Sequence, residues 1–200
     1  MLWIAETDTR NTQSYNMLED TERYRVELRC LDILKRAGVR VVYRPFPGQD
    51  ETGVLRALRA NPSSNIRIAA RGPLVDHIRK ADIVVTVSSS GTVWNETLAL
   101  RRPLVIFSDP STVRLVPQFA NDLAAASRWC TSADEFVATI EQLASNPERF
   151  VMDHRDSAVE IFLGRYVVGD GRPVPRVISF LEQVCRAGVP LETWEGTPIA

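Results

Sequence analysis

The chain has 200 residues, enough for one domain with a sizeable core. Its 24 lysines and arginines nearly balance 25 aspartates and glutamates, which argues against a general nucleic-acid surface. No apolar run reaches the roughly 20 residues of a membrane-spanning helix, and three scattered cysteines without a CxxC pair predict reduced thiols in a cytoplasmic protein.

Strand and helix patterns alternate through the first 80 residues. The apolar segment 2–5 predicts a strand, and apolar residues at helical spacing predict a helix over 21–37, which Gly38 ends. The elements predicted next are a strand over 39–43, a proline-fixed turn over 44–48, a helix over 52–60, a strand over 66–70 and a helix over 74–80.

The stretch from 81 to 109 organises the rest of the chain. A β-branched apolar run over 83–87 predicts a strand that is buried on both faces of a parallel sheet. A helix is predicted over 93–100, and Pro103 separates it from a second buried strand over 104–107.

Helices predominate after residue 109. A capping pattern from Ser132 to Glu135 starts a helix that runs to residue 144, and Asn146 with Pro147 starts another that runs to residue 163. The remaining predictions are a loop or irregular helix over 110–121, a short strand over 127–130, a loop over 164–175 and a helix over 177–187.

This alternation predicts an α/β fold, a Rossmann-like doubly wound parallel sheet. Five or six strands are expected in the order 3-2-1-4-5-6, with helices on both faces. Residues 1–187 are interpreted as one domain and 188–200 as a weakly ordered tail. Ligands of such sheets bind at the carboxyl ends of the strands near the switch point, which falls here between the loop after the first strand and the loop that begins at Ser88.

The loop at this point consists of small residues, most of them with hydroxyl groups: Ser88, Ser89, Ser90, Gly91 and Thr92. It leads into a helix N-terminus, where free backbone N–H groups and the helix dipole favour an anion. Small side chains allow close approach, and serine hydroxyls can donate hydrogen bonds. The loop therefore predicts a phosphate site, although a tight strand-to-helix connection with serine caps explains the same residues.

Four segments carry a family resemblance, of which residues 2–7, LWIAET, resemble the first strand of the C-terminal lobe of GT-B glycosyltransferases. Residues 88–107, SSSGTVWNETLALRRPLVIF, resemble the donor-site segment of GT-B glycosyltransferases, in which a small-residue loop, a helix with a glutamate and a strand follow one another. Residues 41–47, VVYRPFP, resemble a strand and turn of capsule-polysaccharide and glycerophosphate-polymer transferases, and residues 162–176 resemble the closing helices of surface-carbohydrate biosynthesis proteins. The resemblance implies the C-terminal, donor-binding lobe of such an enzyme, without the acceptor-binding lobe.

The resemblance also implies roles for individual residues. Glu96 would receive the ribose hydroxyls of the donor, and Arg44 would neutralise its pyrophosphate; an ordinary helix carboxylate and a surface arginine are the plainer interpretations. Arg71 and Pro73 would lie near the nucleobase, although a solvated loop charge is the better interpretation of Arg71. Phe46 stands where the family's turn usually has histidine, which removes any acid–base role there.

The implied activity is metal-independent sugar transfer in surface-polysaccharide biosynthesis, with the nucleotide-sugar as substrate and no further cofactor. No catalytic residue is assigned, and the sequence has neither a DxD motif nor a histidine-based metal signature. The expected partners are the nucleotide-sugar donor and either an acceptor-lobe protein or a second copy of the chain, and not nucleic acid. The expected location is cytoplasmic, with a peripheral place at the inner membrane face left open.

Two other functions would use the same residues. A nucleoside-sugar epimerase-like lobe would share the phosphate loop and Glu96, and a non-catalytic nucleotide-binding module or partner subunit would lack turnover. A nicotinamide-dependent oxidoreductase is disfavoured, because the loop ETDTRNTQ after the first strand lacks the glycines of GxGxxG. A lone donor lobe is expected to bind a nucleotide, to transfer little sugar, and to expose an apolar patch near 162–168.

Overall fold

The computed structural model describes residues 1–5, 20–46, 52–69, 71–87, 91–110, 115–152, 156–167 and 178. Its strands are β1 (Leu2–Ile4), β2 (Val41–Arg44), β3 (Ile66–Ile68), β4 (Val84–Thr86), β5 (Leu104–Phe107) and β6 (Arg128–Cys130). Its helices are α1 (Asp20–Arg36), α2 (Gly53–Ala60), α3 (Leu74–Arg79), α4 (Gly91–Ala99), α5 (Pro117–Ala126), α6 (Ala133–Ser145), α7 (Pro147–Met152) and α8 (Asp156–Tyr166).

All six strands form one parallel sheet in the order β3-β2-β1-β4-β5-β6. The predicted doubly wound, Rossmann-like fold and its strand order are therefore confirmed. β1 lies at the centre, with Trp3 beside Tyr43 of β2 on one side and beside Val85 of β4 on the other. Strands β2 and β3 follow β1 on one side, and β4, β5 and β6 lie on the other side, so the strand order reverses between β1 and β4. This pair is therefore the switch point.

Helices cover the sheet in two groups. α1, α2, α6 and α7 contact one another, and α3, α4, α5 and α8 form the second group. The first group shares a core with the strand residues Trp3, Val85 and Phe107. The alternate strand residues, such as Val84 and Ile106, are equally buried, as expected for a parallel sheet covered on both faces.

Aromatic side chains fill the core on the α1 and α6 side. Trp3 lies 5.8 Å from Phe136, measured between ring centroids, and Phe107 stacks on Phe136 at 5.2 Å. Burying side chains of this size contributes about 1.5–3 kcal/mol each to folding. On the other side Trp94 of α4 is fully buried.

Several predictions for the second half of the chain are wrong. The segment 110–121 was predicted as a loop or irregular helix, yet the regular helix α5 begins at Pro117 and continues to Ala126. One helix was predicted over 147–163; the structure has two, α7 and α8, and α8 continues to Tyr166, into the segment predicted as a loop.

The predicted apolar patch near 162–168 is also largely absent from the residues described there. Phe162 and Leu163 are buried, and the ring of Phe162 contacts Phe119 of α5 and Tyr166. These contacts cover the face of α8 that was expected to await a second lobe.

Residues 1–166 form one compact unit, and residues 167–200 form a second. Only residues 167 and 178 of the second unit are described, so the helix predicted over 177–187 and the tail over 188–200 lie outside the described residues. Among the helices in the described part of the chain, none is both long and apolar enough to cross a membrane.

Candidate functional site

The carboxyl ends of β1 and β4 form the centre of the candidate site. Two neighbouring parallel strands that connect in opposite directions leave a crevice at this edge of the sheet. β1 ends at Ile4 and β4 at Thr86, and the two residues are paired in the sheet register. α4 begins shortly after β4, at Gly91. The predicted loop residues Ser88, Ser89 and Ser90 lie outside the described residues.

The first turn of α4 has the features of an anion site. Gly91 is half-buried and Thr92 exposed, and a Cβ placed on Gly91 would meet no heavy atom within 4 Å. This first turn contains no acidic residue of its own. Burial of Val93 and Trp94 holds the helix in place. The first-turn backbone N–H groups of this nine-residue helix lie at the positive end of its dipole, which favours negative charge.

Glu96 lies one helical turn after Thr92 on the same side of α4. Its side chain is half-buried, while Val93 and Thr97 on the inner side of the helix are buried. Within the described ranges, no ion pair or side-chain hydrogen bond engages the Glu96 carboxylate. Its role toward ribose hydroxyls stays a prediction.

Arg44 occupies the end of β2 and is 8% exposed. Its guanidinium donates to the carbonyl oxygen of Ala69 at 2.9 Å and to that of Gly72 at 2.7 Å. Gly72 has φ +92°, a conformation that favours glycine, and this turns its carbonyl into position. Arg44 thus ties β2 to the segment between β3 and α3. Its role toward pyrophosphate stays a prediction.

Arg71 and Pro73 flank Gly72 and are both exposed. The carbonyl oxygen of Arg71 forms a hydrogen bond with Nε2 of His77 at 3.0 Å, which helps to order the segment between β3 and α3. The structure thereby brings Arg44, Arg71 and Pro73 together on the β2 and β3 side of β1. Gly91, Thr92 and Glu96 form a second group on the β4 side.

Buried polar atoms at the same edge were missed by the sequence reasoning. Ser108 follows β5 and is 5% exposed, and its Oγ has no hydrogen-bond partner among the described residues. Oδ1 of Asn95 on α4 is likewise a buried atom without a hydrogen-bond partner among the described residues. Buried polar atoms usually have a partner, so these two call for a water or ligand atom. The signal available in the sequence was a serine directly after the apolar run 104–107.

A buried polar cluster beneath the site was also missed. The indole N–H of Trp3 donates to Oε1 of Glu27 at 3.0 Å, and Glu27 is 3% exposed on α1. Burial raises the pKa of Tyr43 well above its usual value, and the nearby Glu27 raises it further. The phenol of Tyr43 therefore stays protonated at neutral pH and serves as a fixed hydrogen-bonding group of the core.

Neither thiol in the described part of the chain suits nucleophilic chemistry. Cys30 and Cys130 are free and buried. Burial raises the pKa of Cys130 to about 11 and that of Cys30 further, so both are protonated at neutral pH. The described residues also contain no group of three His, Cys, Asp or Glu side chains that could hold a metal ion.

No family model and no curated protein matches the sequence. Solved structures do match. The spinosyn rhamnosyltransferase SpnG superposes with a TM-score of 0.50 at 21% identity, covering 81% of this chain and 39% of SpnG. A putative UDP-N-acetylglucosamine 2-epimerase from Listeria monocytogenes superposes with a TM-score of 0.54 at 15% identity, covering 99% and 46%. The S. aureus MnaA–UDP structure gives 0.52 at 15% identity, covering 100% and 47%.

The chain thus spans less than half the length of each of these proteins. At such identities the likeness shows the fold: a Rossmann-like sheet of the kind that forms a single lobe of the GT-B architecture.

Proposed function

We propose that the chain is the nucleotide-sugar-binding lobe of a GT-B-type enzyme, a glycosyltransferase in the first place. The observation that carries the proposal is the first turn of α4, which begins shortly after β4 at the switch point, contains no acidic residue and has Glu96 one turn after it. The similar solved structures support it, because they include a rhamnosyltransferase and a complex with UDP.

In this proposal the donor diphosphate lies at the N-terminus of α4. The backbone N–H groups of Gly91 and Thr92, with Ser88, Ser89 and Ser90, would donate to its oxygens. The Glu96 carboxylate would accept hydrogen bonds from two neighbouring ribose hydroxyls, a geometry that suits its two oxygens. Arg44 would act mainly through the segment it holds, so that Arg71 and Pro73 border the base.

Transfer of the sugar would release a nucleoside diphosphate. N–H groups aimed at the leaving phosphate would stabilise the charge that develops on it, and in crevices shielded from water such interactions are strong. This scheme requires no metal ion. The acceptor and the base that activates it would come from a second lobe, so the chain alone should bind the donor and transfer little or no sugar.

The acceptor that we propose is a growing surface polysaccharide. Its support is the resemblance of residues 41–47 and 162–176 to proteins of surface-carbohydrate biosynthesis. An epimerase-like lobe is the second candidate, favoured by superpositions on UDP-N-acetylglucosamine 2-epimerases that match those on transferases. A non-catalytic partner subunit would retain the same binding site.

Calorimetric titration of the full chain with UDP, CDP and GDP tests the binding proposal. We expect one of the three to bind with a submillimolar Kd, and Glu96→Ala to weaken it about tenfold, equivalent to about 1.4 kcal/mol. Glu141→Ala is the matched control, because Glu141 is an exposed glutamate on α6. If none of the three nucleotides binds, the proposal is overturned. If Glu96→Ala changes the affinity no more than Glu141→Ala does, Glu96 has no role toward the ribose.

A product assay separates the enzymatic alternatives. The purified chain would be incubated with nucleotide-sugars, with and without carbohydrate acceptors and a separately supplied acceptor lobe. Transfer that requires the second lobe supports the transferase, and conversion of UDP-N-acetylglucosamine to its 2-epimer supports the epimerase. Nucleotide binding without either reaction in any combination supports a non-catalytic module.

A further inference from the structure

A second groove lies at the opposite, amino-terminal edge of the sheet. It has a volume of about 370 Å³. Three of its lining residues directly precede strands: Arg40 before β2, Ser64 before β3 and Asp82 before β4. Arg67 of β3 and Lys80 after α3 also line the groove. Because the strands are parallel, this groove is a full strand length away from the crevice at the carboxyl ends.

Cationic side chains dominate this groove. Arg40, Arg67 and Lys80 are all exposed and line it, and Asp82 supplies a single opposing carboxylate. His77 also lines the groove, but its Nε2 is engaged with the carbonyl of Arg71. The groove therefore carries a net positive charge at neutral pH.

Several exposed arginines outside the groove have carboxylate partners. Arg36 pairs with Asp32 at 3.1 Å, and Arg165 pairs with Asp122 at 2.7 Å. Within the part of the chain that the structure describes, by contrast, Arg40, Arg67 and Lys80 form no ion pair.

The carbonyl end of a helix dipole explains a cation such as Lys80 directly after α3. It does not explain Arg40 and Arg67, which lie before and within strands. Three like charges around one concavity repel each other, and a bound anion with several oxygens relieves that repulsion. Phosphate groups bind to arginine forks and lysine ammonium groups in this way. The groove volume lies at the small end of ligand pockets, which suits a compact ligand.

We propose that this groove binds a phosphate-bearing anion, either free in solution or as a lipid headgroup, through Arg40, Arg67 and Lys80. The site is distinct from the proposed nucleotide site, because no residue lines both, and the two are linked by the hydrogen bond between His77 and Arg71. Occupancy of this groove would place a phosphate ligand or an anionic membrane surface on the side of the lobe that faces away from the donor.

Calorimetry with inorganic phosphate and pyrophosphate tests the free-anion source, with Gly91→Asp introduced to suppress binding at α4. We expect pyrophosphate to bind this variant, and Arg67→Gln with Lys80→Gln to weaken that binding at least tenfold. Arg56→Gln is the matched control, an exposed arginine on α2 that does not line the groove. Circular dichroism confirms that each variant folds.

Co-sedimentation with vesicles tests the lipid source. Vesicles of phosphatidylglycerol and phosphatidylcholine would be compared with vesicles of phosphatidylcholine alone, at low and high salt. Binding to the anionic vesicles that falls in the Arg67→Gln, Lys80→Gln variant and not in Arg56→Gln supports the groove with a headgroup ligand. The proposal is overturned if neither pyrophosphate nor anionic vesicles bind, or if the groove substitutions change neither.

Discussion

The two edges of the sheet carry proposed anion sites that are built in different ways. At the carboxyl edge the proposed attraction comes from backbone N–H groups at the start of α4, and Arg44, Thr86 and Ser108 are buried there, while Arg71 and Thr92 are exposed. At the amino edge the helices present carbonyl ends instead, and exposed side chains such as Arg40 and Arg67 supply the positive charge. Parallel strands with helical crossovers impose this polarity on any sheet of the class.

This difference has a functional meaning. A site built from backbone groups and buried side chains is fixed before a ligand arrives, so it can hold one geometry closely. A site built from exposed arginines and lysines is adjustable and sensitive to salt, and suits anions of varied shape. Three changes test this contrast in order of decreasing expected effect, and a fourth, weaker change tests the α5–α8 contact that lies outside both sites.

Arg44→Ala should destabilise the fold by about 3 kcal/mol, because it removes the two hydrogen bonds that the buried guanidinium donates. The carbonyl oxygens of Ala69 and Gly72 would then lose this donor. Arg67→Ala at the amino edge is the control and should cost less than about 0.5 kcal/mol, as exposed substitutions usually do. Urea unfolding followed by circular dichroism measures both. If the two substitutions lowered the free energy of unfolding equally, the burial of Arg44 would not contribute to stability as described.

Gly91→Asp should reduce nucleotide affinity between about 10-fold and 100-fold, because a carboxylate at the first turn of α4 repels the diphosphate. Folding stability should stay within about 1 kcal/mol of the original, since the position has open space and an acidic residue complements the helix N-terminus. Calorimetry and urea unfolding give the two values. Unchanged affinity in a folded variant would place the diphosphate elsewhere.

Asn65→Ala should destabilise the fold by about 1–2 kcal/mol. The Asn65 amide donates to the carbonyl oxygens of Leu34 at 3.2 Å and Val39 at 2.9 Å, so it joins the end of α1 to the start of β3. At the amino edge, the uncharged Asn65 thus connects two segments, as Arg44 does at the carboxyl edge. Ser64→Ala, at an exposed neighbour, is the control in the same unfolding experiment. A cost above that of Arg44→Ala would reverse the predicted order of the two edges.

Asp122→Asn should have the smallest effect, and one that depends on pH. Hydrogen bonds from Tyr166 and Arg165 lower the pKa of the Asp122 carboxyl in the folded state. Its contribution is therefore present above the unfolded pKa and is lost as the pH falls through the folded pKa. The difference in Tm between the original chain and the variant should shrink between pH 7 and pH 3. A constant difference would mean that the carboxylate charge plays no part in the α5–α8 contact.

The sequence predicted most of the sheet and less of what holds its edges. The order of strands followed from alternation and the handedness of crossovers, and the buried run 83–87 indicated the centre correctly. α5 was missed although Pro117 stands at its first position, because no side chain caps the helix and its first turn has no acidic residue. Contacts of Phe119 with Phe162 and Tyr166, more distant in the sequence, stabilise it instead.

The candidate site shows the same division. Gly91 and Thr92 could be proposed from a small-residue loop that leads into a helix, and Glu96 from the family resemblance of the same continuous segment. The partners of Arg44 lie on a different segment, after β3, and no local pattern connects them with β2. Ser108 became visible as a candidate only when burial and an absent hydrogen-bond partner were combined.

The central position of β1 has a consequence for how the chain acquires its structure. Leu2 is paired with Val42 on one side and with Val84 on the other, a separation of about 80 residues, and such distant pairings slow folding. During synthesis the first strand leaves the ribosome well before β4 exists to complete its hydrogen bonds. Until then an apolar segment with one unpaired side is exposed, so chaperone binding and expression temperature should strongly affect the yield of folded protein.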